Sequence, residues 1–311
     1  MPKSETQHIP AISPQAFSSK EGDIDLLELV QNIWKGKLWV MFFAVLGAAL
    51  SIGYALKQPN IYRSDILAVS ASENSKVGGI AGQLGGLAGL AGISLGGGDA
   101  DKLTIALETL KSRSFLMKFI SKYELSIPLL AVTGWDESTN DWIYNLKKYN
   151  PQAGKWLKNF KPSELKAYKV FVGKHLSLST NMKTGLVTLS VSSYSPEYAQ
   201  RWADLLVKEI NDYIRNTEIA EARKSVEFLK LQLGKTPIAD MQKIFYQLIE
   251  QQIKTIMLAE VRDEYVLKVI DPAIIPEEKS SPKRAVIVAL GVFIGLFIGL
   301  MFALINGYRK R

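Results

Sequence analysis

Two long uncharged stretches, one near each end of the chain, constrain this protein more than any other feature. Residues 38–56 run for 19 positions without a charge and residues 285–305 for 21. A helix rises about 1.5 Å per residue, so each would be about 28–32 Å long, the thickness of a bilayer's hydrocarbon core. The 228 residues between them, 57–284, are polar enough to fold in water. An even number of crossings puts both termini on one side of a membrane and the folded domain on the other, which disfavours most intracellular enzymes.

The formal charge of +8 and the pI near 9.3 invite a nucleic-acid reading. The placement of the cations argues otherwise. Lys35, Lys37 and Lys57 bracket the first run, and Lys283, Arg284, Arg309, Lys310 and Arg311 bracket the second. Cations at those positions meet lipid headgroups, and no RNP-like or helix-turn-helix signature is present. Lys and Arg near the two faces almost balance. The half-cationic C-terminal tail, and the ease with which long loops translocate, set the expectation of cytoplasmic termini. The first run begins 37 residues in and is too long for a cleaved signal, so it reads as an anchor. Zero cysteines fit either compartment.

The expected organisation is a disordered cytoplasmic tail (1–22), an amphipathic cytoplasmic helix (23–37), a first transmembrane helix (38–56), a periplasmic domain (57–284), a second transmembrane helix (285–305) and a short cytoplasmic tail (306–311). In 23–37, Ile24, Leu27, Val30 and Ile33 recur at helical spacing, with Asp23 and Asp25 near the positive helix N-terminus. Residues 61–70 read as a strand. Residues 76–98 carry 10 glycines. A Gly costs a helix about 1 kcal/mol relative to Ala, so an apolar loop is expected there. Residues 100–123 read as one amphipathic helix capped by Asp99, and 135–149 and 163–173 as two shorter helices. Alternating residues 176–180 and 186–192 around 181–185 signal a hairpin.

Pro196 opens the longest helical stretch, 197–233, broken at 234–237 and followed by a second helix from 238 to about 263. Residues 265–270 read as a returning strand. The second helix has two adjoining apolar stripes, Met241/Ile244/Leu248 and Phe245/Ile249/Ile253/Ile256. So broad an arc favours packing between copies over a monomeric core. The fold class expected is an α+β membrane protein: two transmembrane helices flanking a periplasmic domain with an α/β base and a long projecting helical arm (about 197–263).

Chemical motifs are sparse. Gly92-Ile93-Ser94-Leu95-Gly96 matches a nucleophile elbow, with His175 downstream, but lacks the buried strand that elbow requires. Asp99 and Asp101 resemble a metal-holding acidic pair, yet helix capping explains them better. The Gly-rich run lacks the G-K-[ST] ending of a phosphate loop. His8 and His175 are the only histidines, which disfavours zinc. No enzyme, metal or cofactor is expected.

The second apolar run holds Gly291, Gly295 and Gly299, three glycines on one helix face that permit close approach of another helix. The first offers Gly47/Ser51 and Ala49/Gly53 at the same spacing. Before the second run stand Pro272, Pro276, Pro282 and Lys283, a stiff, extended approach.

This proline-rich segment feeding a Gly-containing helix resembles the chain-length determinant family, the Wzz-type polysaccharide co-polymerases. The IDLLELVQNIWKGKLW lead-in to the first run, the strand at 62–70 and the ALETLKSRSFL segment at 106–116 extend the resemblance over nearly the whole chain. It implies a homo-oligomeric ring in the bacterial inner membrane, with the main domain in the periplasm. It also implies a non-enzymatic role in setting the length of a polysaccharide made by a membrane polymerase from lipid-linked repeats. Pro272, Pro276, Pro282 and Lys283 match the family's motif, and Gly291, Gly295 and Gly299 lie on the span that follows it. With six residues after that span, the chain resembles the kinase-free subgroup typical of O-antigen (lipopolysaccharide) systems. The alternative is a chain-length or export component of an exopolysaccharide or capsule system. A two-span sensor or a periplasmic enzyme fits less well.

Overall fold

The computed structural model describes residue 34 and residues 37–71, 99–181 and 183–309. The expected tail at 1–22, most of the amphipathic helix at 23–37 and the Gly-rich run at 76–98 lie outside the described residues. In chain order the first elements are α1 (Lys37–Lys57), β1 (Tyr62–Ser70), α2 (Asp99–Lys111), α3 (Arg113–Lys122) and α4 (Ser126–Leu130). Next come β2 (Val132–Asp136), β3 (Asp141–Tyr144), β4 (Tyr149–Asn150), β5 (Lys155–Trp156) and α5 (Glu164–Val170). After a π-turn at Phe171–His175 come β6 (Leu176–Asn181), β7 (Leu186–Ser193), α6 (Pro196–Lys235), α7 (Ala239–Val261), β8 (Leu267–Asp271) and α8 (Arg284–Arg309). The chain divides into two units, Lys57–Lys283 and the segments on either side of it. Two long apolar helices, α1 and α8, thus flank a mixed α/β domain in sequence.

That domain is built on a four-stranded antiparallel sheet ordered β6-β7-β1-β8. Strand β1 alternates strictly at first, with Tyr62, Ser64, Ile66 and Ala68 buried and Arg63 and Asp65 exposed. The register sets Ser64, Ile66 and Ala68 opposite Val191, Leu189 and Val187 of β7, so one face of both strands is apolar. The first half of α6 belongs to the same core. Ala199, Trp202, Ala203, Leu206, Val207, Ile210 and Ile214 recur three and four apart, the stripe a helix needs to bury one side. Phe115, Leu116, Phe119 and Ile120 of α3 complete the core.

The hairpin forms as its sequence suggests. Gly185 adopts φ 68°, a conformation other residues resist, and the Asn181 side chain accepts a hydrogen bond from Lys183 N at 3.0 Å.

The single helix expected at 100–123 is two. Ser112 takes an extended conformation (φ −66°, ψ 141°) and its hydroxyl accepts from Phe115 N at 3.2 Å, capping α3 and interrupting the run. The helix expected at 135–149 is a correction: β2 and β3 pair antiparallel there, with Trp135 opposite Trp142. Their rings meet edge to face at 5.0 Å, a cross-strand contact worth more than the weak helical period of the segment. The helix expected at 163–173 ends at Val170 and becomes the π-turn.

Helix α6 has 40 residues, about 60 Å at the helical rise, whereas the nine-residue β1 reaches only about 30 Å. Its second half runs past the sheet and, beyond Glu218, packs on α7. There Ala222 and Val226 are buried, with Ile249 and Ala259 from α7. Phe228, Leu231, Met241, Ile244, Tyr246 and Met257 on the two helices stay exposed.

Buried Asn211 ties α6 to the returning strand. Its amide donates to Leu267 O at 3.0 Å, and its oxygen accepts from Val266 N and Leu267 N at 2.8 and 2.9 Å. Every bond ends on backbone that water does not reach. Asn211→Leu keeps the side-chain bulk but orphans three backbone groups. We expect it to cost about 2–4 kcal/mol of stability, read as a lower unfolding midpoint of the purified protein in detergent. An unchanged midpoint would mean that β8 is held without the clamp.

Candidate functional site

The residues that sequence reasoning singled out fall into two groups, one in each unit. In the terminal helices, Gly47, Gly291, Gly295 and Gly299 line the surface where α1 and α8 cross. A methyl group on Gly295 would sit 3.0 Å from the Phe43 carbonyl carbon and 3.1 Å from Ala44 Cα. On Gly299 it would sit 2.7 Å from Val40 Cα, and on Gly47 3.2 Å from Gly295 Cα. On Gly291 it would strike the Ser51 side chain and lie 2.9 Å from the Gly47 carbonyl oxygen. Residues 40, 43, 47 and 51 therefore meet 299, 295 and 291 in descending order, an antiparallel pair.

Three of the four obstructing groups are backbone, which cannot swing aside. Absence of side chains here is thus what allows the helices to touch. Trp39 and Phe43 of α1 close one end on Phe302 of α8, with ring centroids 4.9 and 5.5 Å apart. The alternative small face is open: nothing lies within 4 Å of a methyl on Gly53.

In the α/β domain, the proline segment is strapped to β1 and α6. Gln200 Nε2 donates to Ala273 O at 3.0 Å and Ser64 Oγ donates to Ile274 O at 2.7 Å. Further on, Ile61 N donates to Ser281 O at 2.9 Å, and Ser280 N returns a bond to Ile61 O at 2.9 Å. Pro276 and Pro282 are half-buried, whereas Pro272 and Lys283 are exposed. Prolines lack the N–H but keep the carbonyl, and the strap is held mainly through carbonyls of its other residues. Gln200 and Ser64 carry no periodic or motif signal that would point to this role.

The titratable groups near these elements do structural work. His175 lies among Phe171, Trp202 and Tyr194, and its Nδ1–H donates to Ser192 O at 2.7 Å. Burial pushes its pKa below the usual histidine value and keeps it neutral. It is a core residue, and the G-x-S-x-G run lies outside the described residues. Tyr265 OH donates to Glu218, which also pairs with Lys102 Nζ at 3.0 Å. Burial first, and the Glu218 carboxylate second, push the Tyr265 hydroxyl well above its usual pKa. This trio pins α2 and α6 to the residues just before β8. Among the described residues, no group of three or more His, Asp and Glu is placed to hold a metal ion.

The glycine surface makes a geometric prediction. In Gly295→Leu the new side chain meets Phe43 and Ala44 backbone, so the helices must separate toward the 8–10 Å of ordinary packing. Spin labels on introduced cysteines at Leu46 and Ile298 should report a distance increase of about 2 Å in this variant. No change would show that the contact tolerates bulk.

Comparisons with known proteins bear on both ends of the chain. Residues 22–123 match the family described as chain length determinant protein, Wzz. Residues 238–307 match the G-rich domain on putative tyrosine kinase. A search of curated proteins gave no match. Among solved structures, the chain is similar to a full-length bacterial polysaccharide co-polymerase, at 15% identity and a TM-score of 0.38, over 92% of this chain and 98% of that one. It is also similar to a fragment of WzzB, a polysaccharide co-polymerase from Salmonella Typhimurium, at 14% identity and a TM-score of 0.29, over 71% of this chain and 100% of that one.

Proposed function

We propose that the chain is a distant member of the Wzz/polysaccharide co-polymerase superfamily and that it sets the chain length of O-antigen as a non-enzymatic, oligomeric scaffold. The observation that carries this reading is the placement of the two family matches. The first takes in α1, β1, α2 and α3, and the second takes in α7, β8, the proline strap and most of α8. Both terminal helices, the segments that lead out of and into them, and part of the α/β domain are therefore matched.

In this reading α1 and α8 cross the bacterial inner membrane, with both termini cytoplasmic and the α/β domain periplasmic. Length and apolar composition support the crossings. The exposed apolar side chains of the α6–α7 arm support self-association, since so many in one place have no use in a monomer. A ring of copies then presents a repeated periplasmic surface to the membrane polymerase and its lipid-linked glycan. Its geometry biases how many repeats are added before release. Pro272, Pro276 and Pro282 stiffen the approach to the second span, Lys283 stands at its edge, and the glycines set the spacing of the helix pair.

One observation favours a second reading, an exopolysaccharide or capsule system: the segment matching 238–307 is described from tyrosine kinases. Lipopolysaccharide gels separate the two. Deleting the gene should abolish a clustered band ladder, and restoring it should bring the cluster back. Complementation with Gly295→Leu should shift or flatten the cluster while the protein stays in the membrane. An unchanged ladder on deletion would remove O-antigen as the substrate.

A further inference from the structure

The two small hairpins, β2–β3 and β4–β5, take no part in the sheet or the arm, and they carry an unusual surface. From β2 to residue 161 the aromatic rings face inward on one another. Trp142 lies 4.7 Å from Tyr198 of α6, Tyr149 5.3 Å from Trp156, and Trp156 stacks on Phe160 at 5.3 Å. These contacts make the module rigid. Three aliphatic side chains nonetheless point out of it: Ile143 is 49% exposed, Leu146 69% and Leu157 36%.

Leu146 is held outward by design of the turn. Asn145 N donates to Ala131 O at 2.7 Å, and Asn145 O accepts from Lys148 N and Tyr149 N at 2.9 and 3.1 Å. The Asn145 side chain also accepts from Lys147 N at 3.1 Å. With the turn bonded through Asn145, Leu146 is left on its outer surface. Four exposed lysines, Lys147, Lys155, Lys158 and Lys161, flank these residues in sequence, none in an ion pair among the described residues. The fifth, Lys148, is engaged with Leu130 O at 3.0 Å. The module's acids, Asp136, Glu137 and Asp141, cluster at the opposite end, by the β2–β3 turn.

The β2–β3 hairpin packs against the beginning of its own domain. A methyl on Gly134 would lie 3.8 Å from Pro59, and Tyr62 OH donates to the Glu137 carboxylate. Only one residue separates Pro59 from Lys57, where α1 ends, and two residues of chain reach no more than about 7 Å.

From this combination we infer that the Ile143–Lys161 surface docks on the bilayer, its aliphatic tips entering the headgroup layer and its lysines binding anionic phospholipid phosphates. The inference rests on the reading that α1 and α8 span the membrane. A neutral glycan would gain little from an exposed leucine with cations next to it in sequence, whereas an anionic lipid surface uses both. Half-buried Trp and Tyr behind the tips suit the same depth.

The chain has no cysteine, so single labels can be placed in the full-length protein. Leu146→Cys carries a polarity-sensitive fluorophore, Phe293→Cys reports α8, and Ser179→Cys reports exposed β6. Each is reconstituted in phosphatidylcholine vesicles with and without phosphatidylglycerol, with spin-labelled lipid as quencher. The expected result is quenching at 146 that strengthens with phosphatidylglycerol, quenching at 293 in both vesicles and none at 179. Replacing the four lysines by Gln should lower docking at 146 by about five-fold per lysine. Quenching at 293 with none at 146 would overturn the inference and leave the two-span reading intact. No quenching at either site would overturn both. A response at 146 to purified polysaccharide in detergent, with none to lipid, would overturn it in favour of a glycan surface.

Discussion

Strand β1 is hydrogen-bonded along both edges, to β7 on one side and β8 on the other, and the α/β domain depends on that pairing. The chain enters the domain at β1 and leaves just after β8, so residues more than 200 positions apart become neighbours. The bonds between Ile61 and Ser281 extend the same pairing to the last residues before α8. Closing so long a loop costs more entropy than closing a short one, though only logarithmically. Several bonds share the closure: the β1–β8 ladder, the strap held by Ser64 and Gln200, and the buried Asn211 clamp. A domain held this way keeps its first and last residues together whatever the arm does.

The helix pair obeys a different physics. In the proposed membrane setting, two apolar helices gain no hydrophobic free energy from touching, so contact must come from close packing. Glycines at 47, 291, 295 and 299 remove the side chains that would prevent it. The aromatic trio of Trp39, Phe43 and Phe302 then fills the space beyond the glycine contact. The two units are stabilised separately, one by backbone pairing and a buried core, the other by the absence of side chains.

Much of the architecture was legible because its signals are local. Uncharged runs of helical length, a Gly185-centred hairpin and a Pro196-initiated helix each announce themselves within one segment. The glycine triplet announced a close approach, but its partner could not be read from α8; Gly47 and Ser51 were visible only as one of two small faces. The misreading at 135–149 has a physical cause. Trp135, Trp142 and Tyr149 recur every seven residues, as on a helix, but Trp135 packs across strands on Trp142 and both pack on distant Tyr198. Ser112 likewise ends one helix by capping the next. Asn211 and Gln200 were invisible, since a polar residue in a long helix gives no sign that its partner lies tens of residues away.

The central claim is a scaffold whose folded domain lies outside the cytoplasm while both chain ends lie inside. Single cysteines in this otherwise cysteine-free chain test it most directly, with a membrane-impermeant maleimide applied to intact cells whose outer membrane has been permeabilised. The account predicts labelling of Ser179→Cys in intact cells and labelling of Ser4→Cys only after the inner membrane is broken. The reverse pattern, or labelling of both before lysis, would contradict it.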